Sequence, residues 1–271
     1  MDFITFCRAH GIVIASMPQI GVWKRYPTVD HPRKRNGAIK YMGTHAFVQN
    51  HALETTVSVW KSDDAQVDFA MVRRAAADAE RRLKDRQEDA AQRAKAIVDC
   101  CVHGKHDYLV SKGFPDDHGL VWYRKEVELL VIPMWIGNRM MGVQLIQPDG
   151  EKRFLAGQRT AGATYTFRAG GVDVLCEGYA TGLSVRAALK ALRKPANVHV
   201  CFSAGNMVKV AANLRKGVIV ADHDASGTGE RVAKEIGWPY WMSDTQGEDA
   251  NDYHRRAGLF RWSQALGRMF R

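Results

Sequence analysis

Val172-Asp-Val-Leu-Cys-Glu177-Gly178-Tyr-Ala-Thr181-Gly182-Leu-Ser-Val185 is an apolar run that ends in a carboxylate, followed by a glycine turn and a helical pattern. A short continuous apolar run bounded by turn residues reads as a buried strand, and the period change behind it marks a βα unit. Gly217-Val-Ile-Val-Ala-Asp222-His223-Asp224-Ala-Ser-Gly227-Thr-Gly229 repeats the plan with two carboxylates, and Glu248-Asp249-Ala-Asn251-Asp252 adds a third acidic group. Further strands are predicted at 198–202 and near 240–242, with helices over 179–192, 207–214 and after Gly229. This alternation predicts an α/β domain with a parallel, Rossmann-like sheet.

In such a sheet the carboxyl ends of the parallel strands share one edge, so acids far apart in sequence converge there. Carboxylates crowded into one crevice raise each other's pKa unless a cation is present. Hard oxygen ligands of this kind suit Mg²⁺ or Mn²⁺, ions that keep waters and hold phosphates. The pattern therefore points to metal-assisted phosphoryl chemistry. Gly227-Thr-Gly229 is no phosphate loop, since it lacks a Gly-Lys-Ser/Thr ending; these glycines let the backbone turn sharply beside the acids.

A Glu after one strand and Asp-x-Asp after a later one, here Glu177 and Asp222-His-Asp224, resembles the TOPRIM fold of primases, type IA and II topoisomerases and some nucleases. More narrowly, Glu177-Gly-Tyr-Ala-Thr-Gly182, Phe202-Ser-Ala-Gly-Asn206 and Asp249-Ala-Asn-Asp252 resemble the primases of plasmids and phages. The likeness is good over 108–258 and partial over the first hundred residues. It implies a DNA primase, a nucleotidyltransferase that copies single-stranded DNA into short RNA primers from nucleoside triphosphates in the cytoplasm of a bacterial host, with a replicative helicase as a further partner. It also implies catalytic roles for Glu177, Asp222 and Asp224. Asp222, Asp224, Asp249 and Asp252 become the metal ligands, and Glu177 a general acid or base or a further ligand.

By the same resemblance Arg153 falls near a basic position of the active-site cleft, with Lys152 and Arg159 close by, to meet a triphosphate or template phosphate; a solvated strand end is the other reading. Asn206 opens a helix where free N–H groups could receive a phosphate, and a plain helix cap is the alternative. Many cellular primases carry an Asp four residues after the Glu, where this chain has Thr181, as in the plasmid and phage subgroup. Two rival functions use the same residues. A TOPRIM nuclease would cut a phosphodiester with water, and a noncatalytic DNA-binding replication accessory would use only the basic surface.

With 271 residues, 46% hydrophobic and 25% charged, the chain can bury a sizeable core in two modest domains. A formal net charge of +10 favours a polyanionic partner, nucleic acid rather than membrane, because no basic amphipathic anchor or long apolar run stands out. The five cysteines, Cys7, Cys100, Cys101, Cys176 and Cys201, contain no C-x-x-C and read as buried reduced thiols.

Residues 1–64 are predicted as a small antiparallel-β module after a short helix over 2–10, with strands near 22–26, 38–42, 46–49 and 56–60 and a hairpin turn at Asn36-Gly37. Lys24, Arg25, Arg33, Lys34, Arg35 and Lys40 make it basic and are the candidate DNA contacts. It resembles the zinc-ribbon template module of primases without the cysteine ligands, and no zinc is expected; His31, His45 and His51 read as solvent-exposed. Trp23, Tyr26, Tyr41, Phe47 and Trp60 fill a small core or stack bases. Residues 65–102 read as a partly solvated helical spacer with a narrow stripe of Phe69, Val72, Ala76, Leu83, Ala90, Ala94 and Ile97. A mixed-β region over 103–170, the TOPRIM core over 171–258 and a basic helical tail over 259–271 complete the organisation.

Overall fold

In the computed structural model, which describes residues 1–53, 56–62 and 69–270, Met1–Arg86 and Gln87–Arg271 form separate units. The predicted helix start at 66–68, the side chain of Phe69, the module boundary at 64–65 and Arg271 lie outside the described residues.

The first unit has a helix α1 (Phe3–Ala9) on an antiparallel sheet of β1 (Trp23–Tyr26), β2 (Gly37–Tyr41), β3 (His45–Asn50) and β4 (Ser58–Lys61), in that order. Asp2 caps α1 by accepting the Thr5 N–H at 3.0 Å, which directs Phe3 and Cys7 inward. Strand alternation sends Tyr26, Ile39, Val48 and Trp60 to the same side, where they pack with Phe3, Cys7 and Ile12, and Tyr41 joins them from the sheet margin. The cross-strand row Trp23–Lys40–Phe47 lies on the other face, with Trp23 50% exposed. The five aromatics thus divide: Tyr26, Tyr41 and Trp60 are core, and Trp23 and Phe47 are not.

Asn36-Gly37 is not a two-residue hairpin turn. Gly37 pairs with Tyr26 inside β2, and residues 27–36 form the connection. Glycine is required there by packing, because a Cβ would lie 2.9 Å from Ile12 Cγ2. His31 and His51 are exposed and His45 is half-buried at the start of β3, its ring against Phe47.

Helix α2 (Phe69–Asp99) has 31 residues, a length of about 46 Å at 1.5 Å per residue. Its stripe is used in both units, and much of the rest of its surface is exposed. Within the first, Val72 and Ala79 are buried, and Gly43 lets the β2–β3 turn approach so closely that a Cβ would meet Val72 Cγ2 at 2.6 Å. Within the second, Ala94 is fully buried in a cluster with Leu129, Val131, Val143 and Leu145.

The second unit begins with β5 (Val102–Gly104), α3 (Asp107–Ser111), β6 (Gly119–Arg124), β7 (Val127–Ile136), β8 (Arg139–Ile146) and β9 (Lys152–Phe154), whose strands make an antiparallel sheet in chain order. It continues with β10 (Tyr165–Phe167), β11 (Val172–Cys176), α4 (Tyr179–Ala191), β12 (Ala196–Val200), α5 (Ala204–Ala211), β13 (Gly217–Val220), α6 (Thr228–Ile236), β14 (Tyr240–Trp241) and α7 (Ala250–Gly267). The second sheet has the order β10-β12-β11-β13-β14, parallel except for the edge strand β10. Val174, Cys176, Val198 and Val200 share a core with Leu183, Leu189 and Trp262 from α4 and α7. Leu175, Ile219 and Ala221 pack with Met207 of α5 and Val232 of α6. Both faces are covered, which is why these strands read as unbroken apolar runs.

Residues 259–270 are not an appended tail. Helix α7 continues through a break at Gly258 (φ 82°) and buries Trp262 and Leu266 completely, with Trp262 Nε1 donating to the Ser184 carbonyl at 2.7 Å. Cys7, Cys176 and Cys201 are buried, whereas Cys100 is exposed. Among the described residues no helix is long and apolar enough to cross a membrane.

Candidate active site

Cys176 at the end of β11 pairs with Val220 at the end of its neighbour β13, so Glu177 and Asp222 leave the sheet at the same edge. The N-terminus of α7, capped by Asp249, and the start of β9, bearing Lys152, bring two further charges to bear on them. Burial pushes the Asp222 carboxyl up to about 7, and the charges of Asp249 and Glu177 push in the same direction, with Lys152 opposing. The Glu177 carboxyl is raised by burial and by Asp224, against Lys152 and the backbone N–H of Ala204 at the start of α5. Lys152 is exposed as a residue, yet burial and the charge of Lys112 lower its pKa, while Asp249, Asp222 and Glu177 pull it back. Three carboxylates from distant parts of the chain and one lysine therefore share a field.

Asp224 is a different kind of acid. Its Oδ1 accepts the Ser226 N–H at 2.7 Å and the Ser226 hydroxyl, and Oδ2 accepts the Gly229 N–H at 3.3 Å, so its carboxyl is held below the usual range. It shapes the turn into α6 as well as adding charge to Glu177 and Asp222. A Cβ on Gly229 would lie 2.2 Å from the Asp222 carbonyl oxygen, so the glycine is what lets α6 start against the Asp222 backbone. His223 Nδ1 lies 2.8 Å from the Ser243 carbonyl, and the Gly247 N–H donates to the His223 carbonyl at 2.6 Å, tying this loop to the one before α7.

In the third acidic group Asp249 is the acid that acts most on the edge. Its Oδ1 accepts the Asp252 N–H at 2.9 Å as a helix cap. Asp252 sits in the first turn of α7 and is not among the charges that act most on Asp222, Glu177 or Lys152. Glu248 is spent in a two-toothed pair with Arg256, at 2.7 and 3.0 Å. Asn251 donates to the Lys112 carbonyl at 2.9 Å and to Ser184 Oγ at 3.0 Å, which locks α7 to α3 and α4. Thr181 is 1% exposed and lies inside the first turn of α4.

Asp222 Oδ1 is buried with no hydrogen-bond partner, which is an expensive position for a carboxylate oxygen unless a cation meets it. Among the described residues no group of three or more His, Cys, Asp or Glu side chains is arranged to hold a metal ion by itself. The donor set fits an ion of the Mg²⁺ type, which takes one or two carboxylates and completes its shell with water and substrate phosphate, better than an ion that needs an all-protein cage.

The basic residues are redistributed relative to the sequence reading. Lys152 and Phe154 lie on one face of β9, opposite Ile146 and Gln144 of β8, and Arg153 lies on the other face, opposite Leu145. Arg153 there pairs with Glu151, Nε–Oε1 2.9 Å and Nη2–Oε2 3.0 Å, and lines a small cavity of about 280 Å³ with Arg124, Leu129 and Gln147. Arg159 is exposed and donates to the Ala161 carbonyl at 3.3 Å. Lysine at 112 is the addition: its Nζ lies 5.9 Å, and that of Lys152 6.0 Å, from the centroid of the buried Tyr108 ring. The Tyr108 hydroxyl has no partner and is pushed up by burial and by Asp249. The signal for Lys112 was its place at the end of the short helix before the mixed sheet, which periodicity could not connect to the acids. Lys24, Arg25, Arg33, Lys34 and Arg35 are exposed in the first unit, and Lys40 is half-buried beside Trp23.

Asn206 is a clamp, not a phosphate seat. Its Oδ1 accepts the Gly162 N–H at 2.6 Å, and Nδ2 donates to the carbonyls of Ala163 at 2.9 Å and Cys201 at 2.7 Å, with the side chain 6% exposed. Asn206→Ala leaves two buried and one half-buried backbone group unmatched and is expected to cost about 2–3 kcal/mol of stability by urea unfolding; a loss under about 0.5 kcal/mol would mean that water replaces the amide without penalty. A cavity of about 670 Å³ lies to one side, where Thr166 Oγ1, His199 and Asp173 form a file of contacts at 3.0 and 2.9 Å, but none of the edge carboxylates lines it.

No protein-family model matches the chain. Among solved structures it is similar to a chain of the assembly in which bacteriophage T7 lagging-strand DNA polymerase interacts with primase domains bound to an RNA/DNA hybrid and dTTP, at 15% identity and a TM-score of 0.42, over 59% of this chain and 83% of that one. It is similar to the primase fragment of the bacteriophage T7 primase-helicase at 16% identity and a TM-score of 0.40, over 58% and 67%. A DNA primase domain from Pseudomonas aeruginosa gives 15% identity and a TM-score of 0.34, over 62% and 57%.

Proposed function

We propose that the chain is a TOPRIM primase of the plasmid or phage type, which joins ribonucleotides on a single-stranded DNA template by metal-dependent nucleotidyl transfer. The observation that carries the reading is the edge itself: Glu177 and Asp249 both act on Asp222, all three act on Lys152, and Asp222 keeps a buried oxygen without a partner. The order Glu, then Asp-x-Asp, on neighbouring parallel strands is the arrangement on which the resemblance to TOPRIM enzymes rests.

Asp222, with Asp249 or Asp224, would hold Mg²⁺ or Mn²⁺ together with the triphosphate, and the ion when bound supplies charge neutralisation of the phosphates and of the attacking and leaving oxygens. Lys152 binds a phosphate oxygen at the same edge, its ammonium within the field of the acids and 6.0 Å from the Tyr108 ring centroid. Glu177, raised above the usual carboxylate range, is suited to take the proton of a primer 3′ hydroxyl. Asp224 and Gly229 hold the Asp222 backbone in place from the side of α6.

The test is primer synthesis on single-stranded DNA with labelled nucleotides and Mg²⁺ or Mn²⁺, run for the wild type and Glu177→Gln, with template cleavage read from the same gel. Short products from the wild type alone support the proposal. Cleavage without synthesis would assign the edge to a nuclease, and template binding with neither activity to a replication accessory.

A further inference from the structure

Two aromatic rings flank the acidic edge and have no part in the chemistry described above. Phe154 stands two residues beyond Lys152 on the same face of β9, about 6.7 Å further along the strand, and is 43% exposed. Phe202 follows β12, donates its N–H to the Glu177 carbonyl at 2.8 Å, and packs on the core beneath. The two rings meet edge to face, with centroids 6.2 Å apart and planes at 82°. Phe202 holds a left-handed backbone conformation (φ 66°), one of three non-glycine residues with positive φ among those described. A bulky side chain is strained there, and strain of this sort gathers at ligand-binding sites. A large half-exposed ring on an edge strand, braced by a strained partner one hydrogen bond from Glu177, is poorly explained by core packing.

Resting on the nucleotide-handling reading of the edge, we propose that Phe154, braced by Phe202, is the stacking seat for the nucleobase of the nucleoside triphosphate whose phosphates lie at Lys152. Every base presents a π-face, so the seat accepts all four bases and leaves their selection to the template. The i, i+2 placement sets ring and ammonium side by side, as base and phosphates of one nucleotide require.

The experiment is titration of the full chain with 2-aminopurine riboside triphosphate in Mg²⁺, following base fluorescence, for wild type, Phe154→Ala, Phe154→Leu and Phe154→Trp, each checked by thermal melting. The wild type is expected to quench the base on binding. Phe154→Ala and Phe154→Leu should bind roughly tenfold more weakly with little quenching, and Phe154→Trp should restore both. Leucine preserves apolar bulk without a π-face, so equal rescue by Leu and Trp would overturn stacking in favour of simple packing. Wild-type binding that neither quenches nor depends on position 154 overturns the seat alone. No binding by the wild type removes the nucleotide reading itself, and the seat with it.

Discussion

Replacing Asp222 by asparagine is expected to abolish primer synthesis while making the metal-free protein more stable at pH 8. The activity loss should be about a thousandfold or more, corresponding to about 4 kcal/mol of lost transition-state stabilisation at a phosphoryl centre. The stability gain follows from the same burial. The folded carboxyl titrates near 7, whereas the ordinary value is 3.8. Below the ordinary value both states are protonated and nothing is lost. As pH rises from about 4 to 7 the unfolded chain releases its proton while the folded chain retains it, so stability falls, and above 7 the full cost remains. That cost is on the order of 2–4 kcal/mol, enough to move the melting temperature by several degrees. Asparagine keeps the shape without the charge, so its melting temperature should exceed that of the wild type at pH 8 and converge with it near pH 4. Mg²⁺ should narrow the gap at pH 8 by stabilising only the wild type, by about 2.7 kcal/mol at a hundredfold excess over Kd. Melting curves across pH with and without Mg²⁺ measure all of this. A variant that is less stable than the wild type at pH 8 without metal would show that Asp222 is held by a partner rather than kept waiting for a cation.

The acidic edge was legible because its logic is local. An apolar run, an acid and a glycine turn recur in order, and parallel strands must place such acids on one side. Sequence reasoning lost ground where a residue's role depends on pairing with a distant strand. Asn206 looked like a helix opening and is a clamp on Gly162 and Ala163, forty-four and forty-three positions away. Residues 259–271 looked like a basic tail because Arg261, Arg268 and Arg271 stand out in their composition, yet Trp262 and Leu266 of α7 are buried. Asn36-Gly37 carried a turn signal, but the glycine answers to Ile12, which no local pattern reveals. The outer row of Trp23, Lys40 and Phe47 appeared only once the register of β1, β2 and β3 was known.

The sharpest case is the choice between two adjacent cations. Lys152→Ala is expected to lower kcat/KM for nucleotide incorporation by about a hundredfold, while Arg153→Ala stays within about twofold of the wild type. The period of two along β9 decides it: Lys152 shares a face with Ile146 and feels Asp249, Asp222 and Glu177, and Arg153 is turned to the opposite side with Glu151. A positioned cation that meets charge developing on phosphate is worth about 3 kcal/mol, in the range measured for single donors at such sites. An exposed Arg–Glu pair is worth about 0–1 kcal/mol, so its loss is expected to cost little. Lys152→Arg separates charge from shape: the guanidinium keeps the charge but puts a broad planar fork where a compact ammonium stood, so it should recover only part of the loss. Steady-state kinetics of the three variants, with circular dichroism to confirm folding, measures the contrast. Equal losses at 152 and 153 would mean that both faces of β9 meet the substrate, and the antiparallel sheet would then carry the triphosphate on its far side as well.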